Sequence, residues 1–322
     1  MEHNLFIHKF QPLYFNDFEM ETNMSHILNT LISIDSINIL FTGSIGSGKT
    51  ILLNALIREY YKDFTQQQYR DHVLYINNLK EQGISYYRNE VKTFCQMCSS
   101  IKHKKKIVVL DDIDLINEQS QQVFRNYIDK YSHNVNFIAS CTNIQKVIES
   151  LQSRFTSIKI KPLQNENLYK IMKKIAEKEE ITIQPEAHDF ILSICNNTAK
   201  ILINYMEKFK LLNQDITLEM ATKVCTNINF NDFDVYTKHL KEKNLQKAIK
   251  LLYEIYDKGY SVMDILDNYF LFVKTTNLLS EVEKYKIVPY ICKYITIFHN
   301  VHEDEIELAL FTNNILTVFD SE

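Results

Sequence analysis

The chain has 322 residues, 45% hydrophobic and 24% charged, with a net charge of −4. That is the composition of a globular protein with two or three cores. No apolar run reaches the length of a membrane helix and the N-terminus shows no signal-peptide pattern, which excludes a membrane-spanning role and predicts an intracellular, unsecreted protein. Six widely spread cysteines predict a reducing compartment rather than a disulfide framework. The acidic balance leaves a nucleic-acid partner open, because a local basic stripe matters more than the total. The excess of Asn, Ile, Lys and Tyr over Gly, Pro and Ala reads as an AT-rich genome.

In chain order, the first strong element is the strand pattern "INILFTG" at 37–43, followed by "KTILLNALIREYY" at 49–61 with helical spacing. Between them lies G-S-I-G-S-G-K-T, residues 43–50. The chain has only five glycines, and Gly43, Gly46 and Gly48 are three of them. This is the phosphate-binding loop pattern. Glycine lets successive backbone N–H groups of Ser44, Ile45 and Ser47 turn towards one phosphate. Lys49 reaches the outer phosphates, Thr50 offers a hydroxyl to Mg²⁺, and the helix N-terminus adds its partial positive charge.

Further strand patterns follow at "HVLYINN", "KIVVLDD", "NVNFIASC" and "SIKIKPL", with helical patterns between them. Such alternation predicts a parallel sheet covered on both faces over residues 1–161. "KIVVLDD" ends in Asp111, placed to hold Mg²⁺, and Asp112, placed to orient the attacking water. Beyond Pro162 the patterns are helical. Pro185 suits a first helical turn, and "SVMDILDNYFLFVKTT" carries one apolar face made by Val262, Ile265, Leu266, Tyr269, Phe270 and Val273. The predicted domains are 1–161, 162–228 and 229–322.

Arg88 and Lys92 are four apart in a predicted helix. Two cations on one face suit a phosphate backbone between them. "KHKKK" at 102–106 reads as a solvated loop. The lone C-x-x-C at 95–98 lacks the further ligands that zinc needs. His299 and His302, beside an acidic segment, read as helix surface.

Six stretches, in order, resemble the small subunits of replication factor C, the AAA+ clamp loader of eukaryotes, archaea and some large DNA viruses. They are "HKFQPLYFNDF", the phosphate loop, "EQGISYYRNEVKTF", "QSQQVFRNYIDKYS", "SCTNIQKVIESLQSRF" and "KGYSVMDIL". The resemblance implies an α/β AAA+ P-loop domain with a five-stranded parallel sheet, then a small helical lid and an all-α collar. It implies an ATPase using ATP and Mg²⁺ within a hetero-pentamer that opens a PCNA-type sliding clamp and loads it on primer–template DNA, without a membrane. Its location would be the nucleus in a cell, or a nuclear or cytoplasmic replication site for a virus.

By the same resemblance Arg154 in "QSRF" is an arginine finger acting in trans. Thr142 and its neighbour Asn143 fall at the sensor position after the fourth strand. Lys200 stands where the family has a lid arginine, and Arg125 either joins Arg88 and Lys92 as a DNA contact or couples neighbouring subunits. Asp112 replaces the usual Glu and Gln11 replaces an Arg, which predicts a slower ATPase. The alternatives are an ATP-binding scaffold in the same complex, or another AAA+ initiator or helicase loader.

Overall fold

Strands form where the apolar runs are densest. The computed structural model describes residues 5–76, 84–225, 228–298 and 302–320. Three parts of the sequence reading lie outside them: the Asn77–Asn78 end of the second strand pattern, residues 81–83 of "EQGISYYRNEVKTF", and His299. The strands are β1 (Ile39–Thr42), β2 (Val73–Ile76), β3 (Lys106–Leu110), β4 (Val135–Cys141) and β5 (Thr156–Lys159). They make one parallel sheet of order β2-β3-β4-β1-β5. Val108 pairs with Phe137 on one face and Ile39 with Ile138 on the other, so the centre of the sheet is apolar on both sides.

Successive strand residues point to opposite faces, and two cores result. Ile39, Phe41, Ile107, Val109 and Ile138 pack with Leu52, Leu53 and Leu56 of the helix Lys49–Tyr60. Leu40, Val108, Leu110, Phe137 and Ala139 pack with Phe124 and Ile128 of the helix Glu118–Tyr131. Fully burying each such side chain contributes roughly 1.5–3 kcal/mol. The sheet is thereby held rigid behind its C-terminal edge, where the loops carry the polar residues.

The chain divides into two compact units. One holds the residues up to Glu180 together with Asn197–Leu211; the other holds Ile181–Asn196 and the chain from Leu212 onward. In the second unit Pro185 opens the helix Pro185–Ile194, and Ile183 makes a single parallel bridge to Ile216. Ser261 and Asp264 cap the helix Val262–Thr275 reciprocally: Asp264 N donates to Ser261 Oγ at 3.0 Å and Ser261 N to Asp264 Oδ2 at 3.4 Å. Val262, Ile265, Leu266, Tyr269 and Val273 are buried as the spacing requires, joined by Phe272; Phe270 is only partly buried.

Two local features depart from the sequence reading. Residues Tyr87–Val91 wind as a π-helix between short α-helical segments, not as a uniform α-helix. The cause is across the core: the Tyr127 hydroxyl reaches the carbonyls of Tyr87 (3.0 Å) and Arg88 (3.3 Å), inside the ladder of hydrogen bonds. The "KHKKK" run is not simply solvated. Lys106 is buried as the first residue of β3, and its Nζ donates to the Phe94 carbonyl at 3.2 Å and lies 4.3 Å from the Phe94 ring centre. Burial pulls its pKa below the usual lysine value. Lys105 Nζ donates to the Asp35 carbonyl at 3.0 Å. Tertiary carbonyl partners take these cations away from solvent, and a charge pattern in sequence does not show them.

Candidate active site

The loop 43–48 leaves β1 and enters the helix Lys49–Tyr60 through left-handed backbone at Gly46 (φ +78°) and Gly48 (φ +89°). Side chains avoid that region, so glycine is required there. At Gly43 the reason is room: a Cβ would stand 2.7 Å from the Ile160 carbonyl oxygen and 2.9 Å from Ser47 Oγ. Lys49 is buried, and its Nζ donates to the carbonyls of Gly43 (3.0 Å) and Ser44 (2.9 Å), inside the curve of the loop. Ser44, Ile45 and Gly46 are exposed at its tip. Ser47 Oγ is buried with no hydrogen-bond partner among the described residues. An orphaned hydroxyl two residues before a buried lysine, at a helix N-terminus, fits a phosphate oxygen acceptor.

The acids sit at the end of β3, one strand beyond β4 from the loop. Asp111 Oδ1 accepts from Thr50 Oγ1 at 3.3 Å and from Ser140 Oγ at 2.5 Å. Thr50 and Asp111 thus bring two side-chain oxygens together. Two protein oxygens fit Mg²⁺, which retains waters and takes phosphate oxygens for the rest. Asp112 has left-handed backbone (φ 52°, ψ 54°), tied by its N–H to Ser140 Oγ at 3.0 Å. Burial, reinforced by Asp111 and Asp114 and opposed by Lys49, raises its pKa above the ordinary aspartate value. A carboxylate raised in this way is a better proton acceptor than an ordinary one.

Ser140 and Asp114 were missed from sequence. Ser140 is fully buried in β4 and joins the two acids. Its signal was a lone hydroxyl within an otherwise buried strand. Asp114 is the third acid of "DDID". Its Oδ2 accepts from Thr142 Oγ1 (2.7 Å), Asn143 N (2.9 Å) and Thr142 N (3.2 Å). Burial raises its pKa, but those hydrogen bonds, led by the Thr142 hydroxyl, outweigh it and leave the carboxyl below the usual range. The Thr142 hydroxyl proton is therefore given to Asp114, and Thr142 faces other groups as an acceptor. Asn143 Oδ1 accepts from Gln145 N at 2.9 Å, which leaves its amide N–H groups as donors.

Lys200 is exposed in the first turn of the helix Ala199–Leu212. That turn abuts the loop: Thr198 Cγ2 would be 2.9 Å from a Cβ on Gly46. Asn196 and Asn197, both at positive φ (47° and 58°), bring the chain into it. Arg154 follows the short helix Glu149–Gln152 and pairs with Asp129. Arg88 and Lys92 are both exposed, with Tyr87, Val91 and Cys95 buried beside them. Arg125 donates from Nε (3.3 Å) and Nη2 (2.8 Å) to Asn126 Oδ1. Among the described residues no group of three or more His, Cys, Asp or Glu could hold a metal, and no helix is long and apolar enough to cross a membrane.

A phosphate loop on the central β1, acids on β3 and a polar position after β4 are the parts of an AAA-type P-loop ATPase. The family "ATPase family associated with various cellular activities (AAA)" matches residues 39–163, and the replication factor C C-terminal domain matches residues 231–295. A replication factor C small subunit of Methanococcus maripaludis is 30% identical over 78% of this chain and 78% of its own length. A putative replication factor C small subunit of Acanthamoeba polyphaga mimivirus is 25% identical over 84% of each. Among solved structures, the Thermotoga maritima RuvB Holliday junction branch migration motor aligns with a TM-score of 0.56 at 14% identity, covering 76% of this chain and 85% of that one. That likeness shows the fold. The chain belongs to the replication factor C small-subunit family and is a nucleotide-binding AAA+ ATPase.

Proposed function

We propose that this chain is one subunit of a hetero-pentameric clamp loader that uses ATP to open a PCNA-type sliding clamp and place it on primer–template DNA, within a cell or at a viral replication site. One observation carries the reading: a phosphate loop with a buried Lys49 and a replication factor C C-terminal domain stand in the same chain. In this reading residues 1–161 are the ATPase domain, 162–228 a lid and 229–322 a collar.

The loop N–H groups from Gly43 to Gly48 and the Lys49 ammonium bind the phosphates of ATP. Lys49 exchanges its carbonyl partners for phosphate oxygens, a stronger charge-assisted pairing. Thr50 and Asp111 would hold Mg²⁺, which supplies charge neutralisation at the phosphates. Asp112 orients the attacking water and accepts its proton, with Ser140 fixing its backbone. Thr142 and Asn143, braced by Asp114, face the reacting end. Arg154 serves the neighbouring subunit's ATP, and Lys200 brings the lid's charge to its own. Arg88, Lys92 and Arg125 contact the DNA backbone, supported by the exposure of Arg88 and Lys92, the half-exposed Arg125 and the Tyr127 link between their helices.

ATP binding favours the closed assembly and hydrolysis releases it, a population shift between two states. A second reading, an ATP-binding scaffold in the same complex, draws on Asp112, whose side chain is one methylene shorter than Glu and sits on constrained backbone. Lys49→Ala tests the main reading by equilibrium nucleotide binding. The expected result is a loss of ATP affinity of at least a hundred-fold; affinity equal to that of the unaltered protein overturns it.

A further inference from the structure

Arg154 has an occupant for its guanidinium within its own chain. Nε donates to Asp129 Oδ1 at 2.7 Å and Nη2 to Asp129 Oδ2 at 2.9 Å. Nη1 donates to the Ser150 carbonyl and, at 3.3 Å, to Ser153 Oγ. The side edge of a guanidinium presents two parallel N–H groups that match a carboxylate or a phosphate equally well. Asp129 has taken that edge, so a phosphate approaching Arg154 competes with Asp129 for the same two donors. The hydrogen bond from Arg154 is the first cause holding the Asp129 carboxyl below its ordinary pKa. Both side chains are substantially exposed (31% and 49%), so water and salt screen the pair and exchange is easy.

The two residues come from separate elements. Asp129 lies near the end of the helix Glu118–Tyr131, and Arg154 follows the helix Glu149–Gln152. Both helices are anchored by Gln121, whose Nε2 donates to the Lys146 carbonyl at 3.0 Å and whose Oε1 accepts from Ile148 N at 2.9 Å. The pair is therefore held by fixed frames and not by two wandering side chains.

We propose that Asp129 is a positioning residue that keeps Arg154 in cis and releases it only to a neighbouring subunit's triphosphate. The inference rests on the trans role of Arg154 given under the proposed function. The carboxylate sets up a competition: the guanidinium moves across when the terminal phosphate of a bound nucleoside triphosphate, which carries more than the single charge of Asp129, is presented to the same two donors. Hydrolysis in an incompletely formed interface is kept low in consequence.

The test uses the complex purified with the partner chains that accompany this subunit, with ATP as the probe and neither clamp nor DNA added. Asp129→Asn preserves shape and one acceptor oxygen but removes the charge. It is expected to raise steady-state hydrolysis several-fold and to lower the ATP concentration giving half the maximal rate. Arg154→Ala is expected to slow hydrolysis at the neighbouring site, and adding Asp129→Asn to it should change nothing further. A rate that is unchanged or lower in Asp129→Asn overturns the proposal, because a merely structural ion pair gives that result. A rise that persists in the double variant also overturns it, since the effect then bypasses Arg154. Full-rate hydrolysis in Arg154→Ala alone overturns the trans reading itself, and the holding role with it.

Discussion

Around Lys49 the chain buries polar atoms: an ammonium between two carbonyls, a Ser47 hydroxyl without a partner among the described residues, and a fully buried Ser140 joining two acids. Around Tyr269 it buries rings, with Tyr236 (5.2 Å), Phe233 (5.4 Å), Phe272 (5.9 Å) and Phe311 (6.0 Å) around one centroid. The first region carries free-energy costs that a bound anion relieves; the second contributes area burial and ring contacts directly. Substitutions should therefore reveal themselves in nucleotide chemistry at the first and in stability at the second.

The largest expected effect outside the loop is at Phe311, which is 1% exposed. Phe311→Ala should cost about 3–5 kcal/mol in urea denaturation of the helical transition, while the folded fraction binds ATP with unaltered affinity. A fall in ATP affinity under conditions where the variant is fully folded would break the contrast. A smaller effect is expected at the cationic helix face. Arg88→Ala with Lys92→Ala should weaken DNA binding and reduce the slope of log affinity against log salt by roughly two, about one per lost phosphate contact. An unchanged slope returns both residues to solvent.

The smallest effect, on stability, concerns Asp112. Its folded pKa is raised, so the folded state favours the protonated carboxyl, and ionisation at neutral pH costs stability. That contribution is present below the unfolded value and is lost as pH rises through the folded one. Asp112→Asn should thus melt at a slightly higher temperature at pH 7, and the difference should vanish near and below pH 3.8, the ordinary value. Asn tolerates left-handed backbone, so the change adds no strain. The same variant should lose hydrolysis. A lower melting temperature at pH 7 would sink this account.

What was legible in the sequence was local. The strands announced themselves as apolar runs, and the loop as glycines at fixed offsets ending in Lys49 and Thr50. What was not legible lies between distant segments. Nothing near Asp111 says that Ser140 will donate to it, and nothing near Arg154 names Asp129 as its partner. Asp114 stood in plain view beside Asp111 and Asp112, but its role depends on Thr142, twenty-eight residues on. The cations Lys105 and Lys106 read as solvated because a charge run does not display the carbonyls of Asp35 and Phe94 that receive them.

The π turn at Tyr87–Val91 acts as a phase adjuster. In a uniform α-helix each residue turns about 100°, so positions eight apart drift by about 80°. The wider winding takes up most of that drift, and Tyr87, Val91 and Cys95 stay in one buried column while Arg88 and Lys92 stay in an exposed one beside it. Deleting a single residue from this turn would let it close to ordinary α-helix, whose seven remaining steps turn about 700°, roughly 20° short of two full turns. Cys95 would then stay in the core and Lys92 would stand three residues from Arg88, still on one face. Loss of one residue should therefore be tolerated here, and gain of another should not.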